Sequence, residues 1–172
     1  MYPIYADGLV AGREEFPVAW VLAENTFYLA IWALGAFLLW PVWRLHDVSL
    51  LGWTWILLVV VIQILLKKHN CTGCVYYDKR CHLGWGKLAA RLFDRDSGNP
   101  ATGQRLALFY VLSPPLILLT SLVHGLLNGA GGMYWVALAL FVFLNAVTFP
   151  VRRSGCSRCK MRKVCPGSAA RG

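Results

Sequence analysis

Charged residues are scarce in this chain of 172 residues. They make up 15% of it, against about 25% in typical soluble proteins, whereas hydrophobic residues make up 58%. This balance excludes an ordinary soluble domain. The apolar residues also lack the alternation with a period of two that marks a strand of a membrane barrel, which excludes that architecture. The composition therefore predicts a helical membrane protein.

Four long apolar runs predict the transmembrane segments. They cover residues 17–43, 48–66, 106–130 and 133–151. Each is close to or above the roughly 18 to 20 residues that cross a hydrocarbon core about 30 Å thick. We therefore predict an all-α integral membrane fold with two helical hairpins, residues 17–66 and 106–151. Pro114 and Pro115 are expected to bend or locally unwind the third helix, because neither has a backbone N–H to donate.

Positive charge predicts the orientation of these helices. Four spans place the N-terminal segment 1–16, the connector 67–105 and the tail 152–172 on one face. Of the 17 lysines and arginines, only Arg44 lies on the other face. Cytoplasmic segments carry this excess of positive charge, so both termini and the connector are expected in the cytoplasm. The net charge of +9 then reflects topology and attraction to anionic membrane lipid, and nucleic acid is not an expected partner.

Cysteine is absent from most of the chain and is confined to two triplets. They are Cys71, Cys74 and Cys81, and then Cys156, Cys159 and Cys165. The order of hairpin and triplet thus occurs twice, which indicates an internal repeat that would bring both triplets together. A reducing cytoplasm argues against disulfides, and a Cys-x2-Cys pair places two thiolates on one turn. We therefore predict a metal-binding lobe formed by the 67–104 connector and the tail.

The spacing leaves three metal arrangements open, with zinc favoured over an iron–sulfur cluster. The pattern C-x2-C-x6-C followed by C-x2-C-x5-C resembles the binuclear zinc cluster of fungal transcription regulators, in which six thiolates hold two zinc ions. The resemblance covers about twenty residues and implies ligand geometry without DNA binding. Two separate zinc sites would need His69 and His82, one of them borrowed across the repeat. The segment from Cys156 to Pro166 is also similar to iron–sulfur cluster-binding runs.

The connector also carries an amphipathic segment. Its apolar residues recur at helical spacing on one side, and its basic residues lie opposite: Trp85, Leu88, Ala89, Leu92 and Phe93 against Lys87 and Arg91. This pattern predicts a short helix in the inner membrane interface, which offers a surface to lipid or to a partner protein. The connector and tail are otherwise polar and too short to bury a core of their own, so we expect metal–thiolate bonds to replace that core.

Polar residues are few inside the predicted membrane helices. Four of them lie towards the inner side: Glu24, Asn25, Gln63 and Asn145. Gln63 and Asn145 could form one polar network with Glu24. An intramembrane carboxylate such as Glu24 is a candidate proton or cation site, although its shallow depth also suits an interfacial ion pair. The small residues Ser121, Gly125 and Gly129 form a stripe on the third helix, which predicts a close helix contact within the bundle or with another subunit.

Catalytic motifs are absent: there is no nucleophile elbow, no phosphate-binding glycine loop and no His-Glu-x-x-His. The sequence thus favours a non-enzymatic role, and we expect a small membrane subunit or scaffold whose metal lobe docks a protein partner or larger complex. An alternative is an iron–sulfur subunit that passes electrons to a quinone. A third is a small ion or metal transporter, with Glu24 and the Pro114–Pro115 pair on its pathway.

Overall fold

The computed structural model describes residues 8–165 and 167–171. Six α-helices and one short hairpin follow one another: α1 Val18–Leu39, β1 Arg44–Leu45, β2 Val48–Ser49, α2 Leu50–Leu66, α3 Trp85–Leu92, α4 Pro100–Ala107, α5 Phe109–Asn128 and α6 Gly132–Ser157. A π-helical turn, Lys67–Cys71, continues α2 without a break.

Four helical segments are long and apolar enough to cross a membrane, which confirms the predicted number of spans. They are Val18–Leu39, Leu50–Cys71, Pro100–Asn128 and Gly132–Ser157. Several ends differ from the prediction, since the second span continues to Cys71 and the third begins at Pro100. Helix α1 ends at Leu39, because Pro41 disfavours helical geometry in the residue before it. Helix α6 runs six residues beyond Val151 and therefore carries Cys156 in its last turn.

The proline pair lies inside a continuous helix. Helix α5 includes both Pro114 and Pro115, so the local unwinding expected there does not occur. Proline has a φ close to the helical value, and only its missing donor and its ring must be accommodated. The helical segment is interrupted earlier, at Leu108, whose carbonyl accepts from Val111 N at 3.0 Å and from Leu112 N at 2.9 Å.

The chain divides into two compact units. One, here called the cysteine unit, comprises the described parts of residues 1–26, 63–107 and 148–172. The other, here called the apolar unit, comprises residues 27–62 and 108–147. Both cysteine triplets therefore belong to the same unit.

The apolar unit has a core to which α1, α2, α5 and α6 all contribute. Its most buried members are Leu38, Phe141 and Ile117, and Trp55 also belongs to it. The hydroxyl of Tyr134 lies within hydrogen-bond distance of two carbonyls that share its one proton, Leu38 O at 3.1 Å and Ser121 O at 3.2 Å, and so connects α6 to α1 and α5. Many large apolar side chains on these helices point outward instead, as lipid-facing residues do.

A two-residue turn links the first two membrane helices. Strands β1 and β2 pair antiparallel, with Arg44 opposite Ser49 and Leu45 opposite Val48. His46 adopts a left-handed φ of 54°, which a turn of two residues requires. The Ser49 hydroxyl then accepts from Gly52 N at 3.1 Å and satisfies one of the unpaired donors at the start of α2.

Candidate functional site

The first triplet follows the π-helical turn directly. Cys71 is the last residue of that turn, and its carbonyl accepts from Cys74 N at 3.3 Å. Cys81 begins a second tight turn, in which Gly84 N donates to Cys81 O at 2.8 Å. Gly84 has a φ of 71°, a left-handed conformation that glycine adopts without strain. The two turns fold the segment back on itself ahead of α3.

The second triplet lies on the end of α6 and the turns that follow. Cys156 is in the last turn of the helix, and its carbonyl accepts from Cys159 N at 3.0 Å. Cys165 N donates to Met161 O at 2.8 Å, which closes the next turn. The three cysteines are thus held by local backbone hydrogen bonds, as in the first triplet.

Met161 forms a small core that joins residues of both triplets. Its side chain is 3% exposed and packs against Cys74 of the first triplet and against Cys159 and Cys165 of the second. Cys74 Sγ lies 3.1 Å from Met161 Sδ. We call this cluster, completed by Val75 and Val164, the Met161 core. Sequence reasoning did not identify Met161, because one methionine beside cysteines carries no spacing signal.

Burial keeps the thiols of the Met161 core protonated. It raises the pKa of Cys74 and Cys165 above the usual range for a thiol, and it raises the pKa of Cys159 to about 11. Neighbouring thiols add to the effect, since Cys165 raises the pKa of both Cys74 and Cys159. Neutral thiols behave as small apolar groups, which suits their packing around a methionine.

The cysteine side chains of the Met161 core pack together, but they are not arranged as the ligands of a metal ion. Over residues 8–165 and 167–171, no group of three or more histidine, cysteine, aspartate or glutamate side chains is placed to hold a metal ion. The cysteines of the Met161 core are free thiols. Their chemistry fits a thiophilic metal such as zinc, and their side chains pack around Met161.

Tyr76 connects three segments of the cysteine unit. Its side chain is 2% exposed, and its hydroxyl donates to Arg13 O at 2.6 Å and accepts from Lys160 N at 3.1 Å. Tyr76 lies within the first triplet, and Lys160 lies within the second. One buried phenol therefore ties both triplets to the residues that precede α1.

Those residues form a strip along both triplets that the sequence did not predict. In the described N-terminal segment, residues 8–16, Val10 N donates to Lys160 O at 3.0 Å and Arg13 N to Arg158 O at 2.9 Å. A Cβ on Gly12 would lie 2.8 Å from Lys160 N, so only glycine allows this approach. We expected the connector and tail to lack a core because we did not count this segment with them. The segment supplies the buried ring of Phe16.

The two candidate histidine ligands have different partners. His69 Nδ1 accepts from Asn99 N at 3.0 Å, next to the start of α4. His82 Nδ1 lies 2.8 and 2.9 Å from the two carboxylate oxygens of Glu24, and the ring lies against Gly155, the residue before Cys156. Burial alone would lower the pKa of His82, but Cys156 and Glu24 raise it to about 10. His82, which follows Cys81, thus lies beside Gly155, the residue before Cys156.

Three of the four polar residues of the membrane helices lie in the cysteine unit. Glu24 is 4% exposed and accepts from Trp20 Nε1 at 3.1 Å. Asn25 donates to Leu83 O at 2.9 Å and accepts from Trp85 Nε1 at 3.3 Å. Both therefore face the connector just after Cys81.

Gln63 reaches the same region through a buried lysine. Lys67 Nζ donates to Gln63 Oε1 at 3.3 Å and lies 4.6 Å from the ring centre of Trp85. Asn145 lies in the apolar unit, where it donates to Phe141 O of its own helix at 2.8 Å. Two hydrogen bonds and one cation–π contact thus connect Asn25, Trp85, Lys67 and Gln63 in that order.

The amphipathic segment forms a helix, α3, whose predicted apolar residues divide between the interior of the unit and its surface. Gly86 and Ala89 are buried, whereas Leu88 and Leu92 are exposed together with Lys87 and Arg91. Trp85 is engaged by Lys67 and Asn25 inside the unit. An outward surface that combines two leucines with two basic residues is typical of contact with a membrane interface.

The stripe of small residues on α5 divides into two parts. Ser121 is fully buried, and a Cβ on Gly125 would lie 3.0 Å from the ring of Trp135, so both positions pack against other parts of this chain. Gly129 instead ends α5 in a left-handed conformation, with φ of 63°, and its N–H donates to Gly125 O. Nothing lies within 4 Å of the position of a Cβ on Gly129.

Comparison with protein-family models, curated proteins and solved structures finds no match to this chain. The fold and the site nevertheless define a class: a chain with four helices able to cross a membrane and a cysteine unit that includes both ends of the described chain.

Proposed function

We propose that this chain is an integral membrane metalloprotein in which both cysteine triplets bind soft metal at one shared site. The Met161 core carries the proposal, because it packs Cys74 of one triplet with Cys159 and Cys165 of the other. Six thiols and a thioether are soft donors, and such donors favour zinc, iron–sulfur clusters or Cu(I) over hard cations. Zinc is the favoured metal, since thiolate-rich sites with a structural role are most often zinc sites.

A metal at this site would act as a cross-link between membrane helices. Cys71 ends the segment that continues α2, and Cys156 lies in the last turn of α6. Metal–thiolate bonds to both would fasten segments that are far apart in the sequence, and their free energy would add to the stability of the fold. The positive charge of the cysteine unit supports placing it, with both termini, on the cytoplasmic face.

The role that follows is that of a non-enzymatic membrane subunit or scaffold. The exposed residues of α3 offer Leu88 and Leu92 for apolar contact and Lys87 and Arg91 for anionic groups. This surface suits attachment to lipid head groups, with a partner protein or larger complex docking alongside. The transporter hypothesis gains no support, since Glu24 is already bonded to Trp20 and His82.

The test is the metal content of the full chain, purified without oxygen, with its visible absorption spectrum. We expect about two zinc ions per chain and no colour, as a six-thiolate lobe would give. Iron with acid-labile sulfide and broad visible absorption would instead favour the alternative, an iron–sulfur subunit that transfers electrons. A chain that binds neither metal after anaerobic reconstitution would overturn the proposal.

Cysteine variants test whether the site is shared. In a shared site, Cys74→Ser and Cys165→Ser both lower the total metal content, although they alter different triplets. Ser157→Ala is the matched control: Ser157 lies between Cys156 and Cys159, is exposed, and bonds only with Ser154 O at 3.0 Å among the described contacts. If each cysteine variant loses one ion and leaves the other at full affinity, the triplets bind metal separately.

A further inference from the structure

The buried pair of His82 and Glu24 connects a membrane helix to the second triplet. Their side chains are 12% and 3% exposed, and His82 Nδ1 lies within 2.9 Å of both Glu24 oxygens. Trp20 Nε1 donates to the same carboxylate at 3.1 Å and fixes its position on α1. A carboxylate in a membrane helix is costly to bury, so the pairing of Glu24 with one imidazole calls for a reason.

The second triplet is short of ligands by itself. A structural zinc site needs four donors, and Cys156, Cys159 and Cys165 supply three. The fold brings His82 to this triplet, because its ring lies against Gly155, the residue before Cys156. A Cβ on Gly155 would lie 2.9 Å from His82 Nδ1, so the glycine before Cys156 makes room for the imidazole.

We propose that His82 is a metal ligand of the second triplet, through Nε2, and that Glu24 is its positioning residue. The proposal rests on metal binding by the cysteines, as proposed above. Metal-bound histidines almost always donate their second ring N–H to a carboxylate, carbonyl or water, which fixes the tautomer and the orientation of the ring. With Glu24 on Nδ1, Nε2 is the ring nitrogen left for a metal, which would bind there by displacing its proton.

The number of donors supports this assignment. Two four-coordinate zinc ions need eight bonds. A thiolate that bridges the two zinc ions makes two of these bonds. Six thiolates therefore supply eight bonds only if two of them bridge, whereas six thiolates and one imidazole need only one bridging thiolate. Cys165 is the best placed bridge, since it packs around Met161 together with Cys74 of the first triplet and Cys159 of the second.

X-ray absorption at the zinc edge of the loaded full chain tests the ligand. We expect sulfur at about 2.3 Å together with a nitrogen at about 2.0–2.1 Å that shows imidazole scattering. His82→Ala should remove the nitrogen and lower the zinc content, and His82→Cys should restore the zinc content with sulfur only. His46→Asn, a change of a turn histidine in the apolar unit, should leave the spectrum unchanged.

The positioning role of Glu24 has its own readout. Glu24→Gln should weaken zinc binding about 10- to 100-fold in competition with a chelating dye, and Glu24→Asp should recover part of it. A wild-type chain that holds zinc with sulfur ligands alone would overturn the role of His82 and leave the metal site in place. A chain that binds no metal would overturn the site itself, so the two failures are distinguishable.

Discussion

A methyl group added at Gly86 provides the sharpest test of how α3 packs. Gly86 is the second residue of α3, and a Cβ there would lie 1.9 Å from Tyr76 O and 2.5 Å from Lys79 O. Both neighbours are backbone atoms of the turns between Cys74 and Cys81, which cannot rotate away as a side chain can. Gly86→Ala must therefore push α3 away from the first triplet.

The expected cost follows from three contributions. Replacing glycine by alanine in a helix gains at most about 1 kcal/mol. Overpacking of a well-packed contact costs about 1–3 kcal/mol. Displacement of α3 also breaks the hydrogen bond from Asp78 N to Gly86 O, at 3.2 Å, for about 1 kcal/mol more. The net expectation is a destabilisation of the cysteine unit by about 2 kcal/mol.

Hydrogen–deuterium exchange of residues 76–93 in the detergent-solubilised chain measures this effect. A loss of about 2 kcal/mol should speed exchange roughly 30-fold, because each 1.4 kcal/mol is a factor of ten in the opening equilibrium. Gly132→Ala is the matched control, since Gly132 is the first residue of α6 and has open space around it. Exchange at the wild-type rate in Gly86→Ala would refute the contact between α3 and the first triplet.

Two further substitutions test the two cores. Phe16→Ala should destabilise the cysteine unit by about 3–5 kcal/mol, since Phe16 is 1% exposed, and exchange in residues 72–93 should rise. Leu9→Ala, at a side chain that is 37% exposed, should change it little, and equal effects of the two would contradict the packing of Phe16. Tyr134→Phe should cost about 0.6–1.7 kcal/mol in denaturant unfolding of the apolar unit, because it removes the hydroxyl that bonds Leu38 O and Ser121 O. A stability equal to that of the wild type would show that these bonds contribute nothing.

The membrane helices were predictable because their signal is local. A continuous apolar run of about 20 residues has few structural alternatives, whatever the rest of the chain does. The ends were less predictable, since they depend on which residue stops a helix. Residues 152–157 are polar and contain no proline, so α6 continues through them and carries Cys156 with it.

The N-terminal segment was not predictable for a physical reason. It is attached to the second triplet by bonds between backbone atoms, such as those of Val10 and Arg13, and any residue offers the same donor and acceptor. No periodicity or charge pattern marks such a contact. Its one sequence-specific feature is Gly12, which lies close to the backbone of another segment. Glycine also occurs in turns and at helix ends, so a glycine in the sequence does not by itself predict such a close approach.

The pairing of Glu24 was hidden for a different reason. The sequence correctly marked Glu24 as unusual, because a carboxylate in a membrane helix must be paired or solvated. Its partner lies 58 residues further along the chain, beside a cysteine that already drew the interpretation towards metal. Nothing in the sequence therefore links the two signals, an intramembrane carboxylate and a histidine next to a triplet. In the folded chain each explains the other: Glu24 makes the buried imidazole tolerable, and His82 gives the carboxylate a partner at the end of the membrane helix.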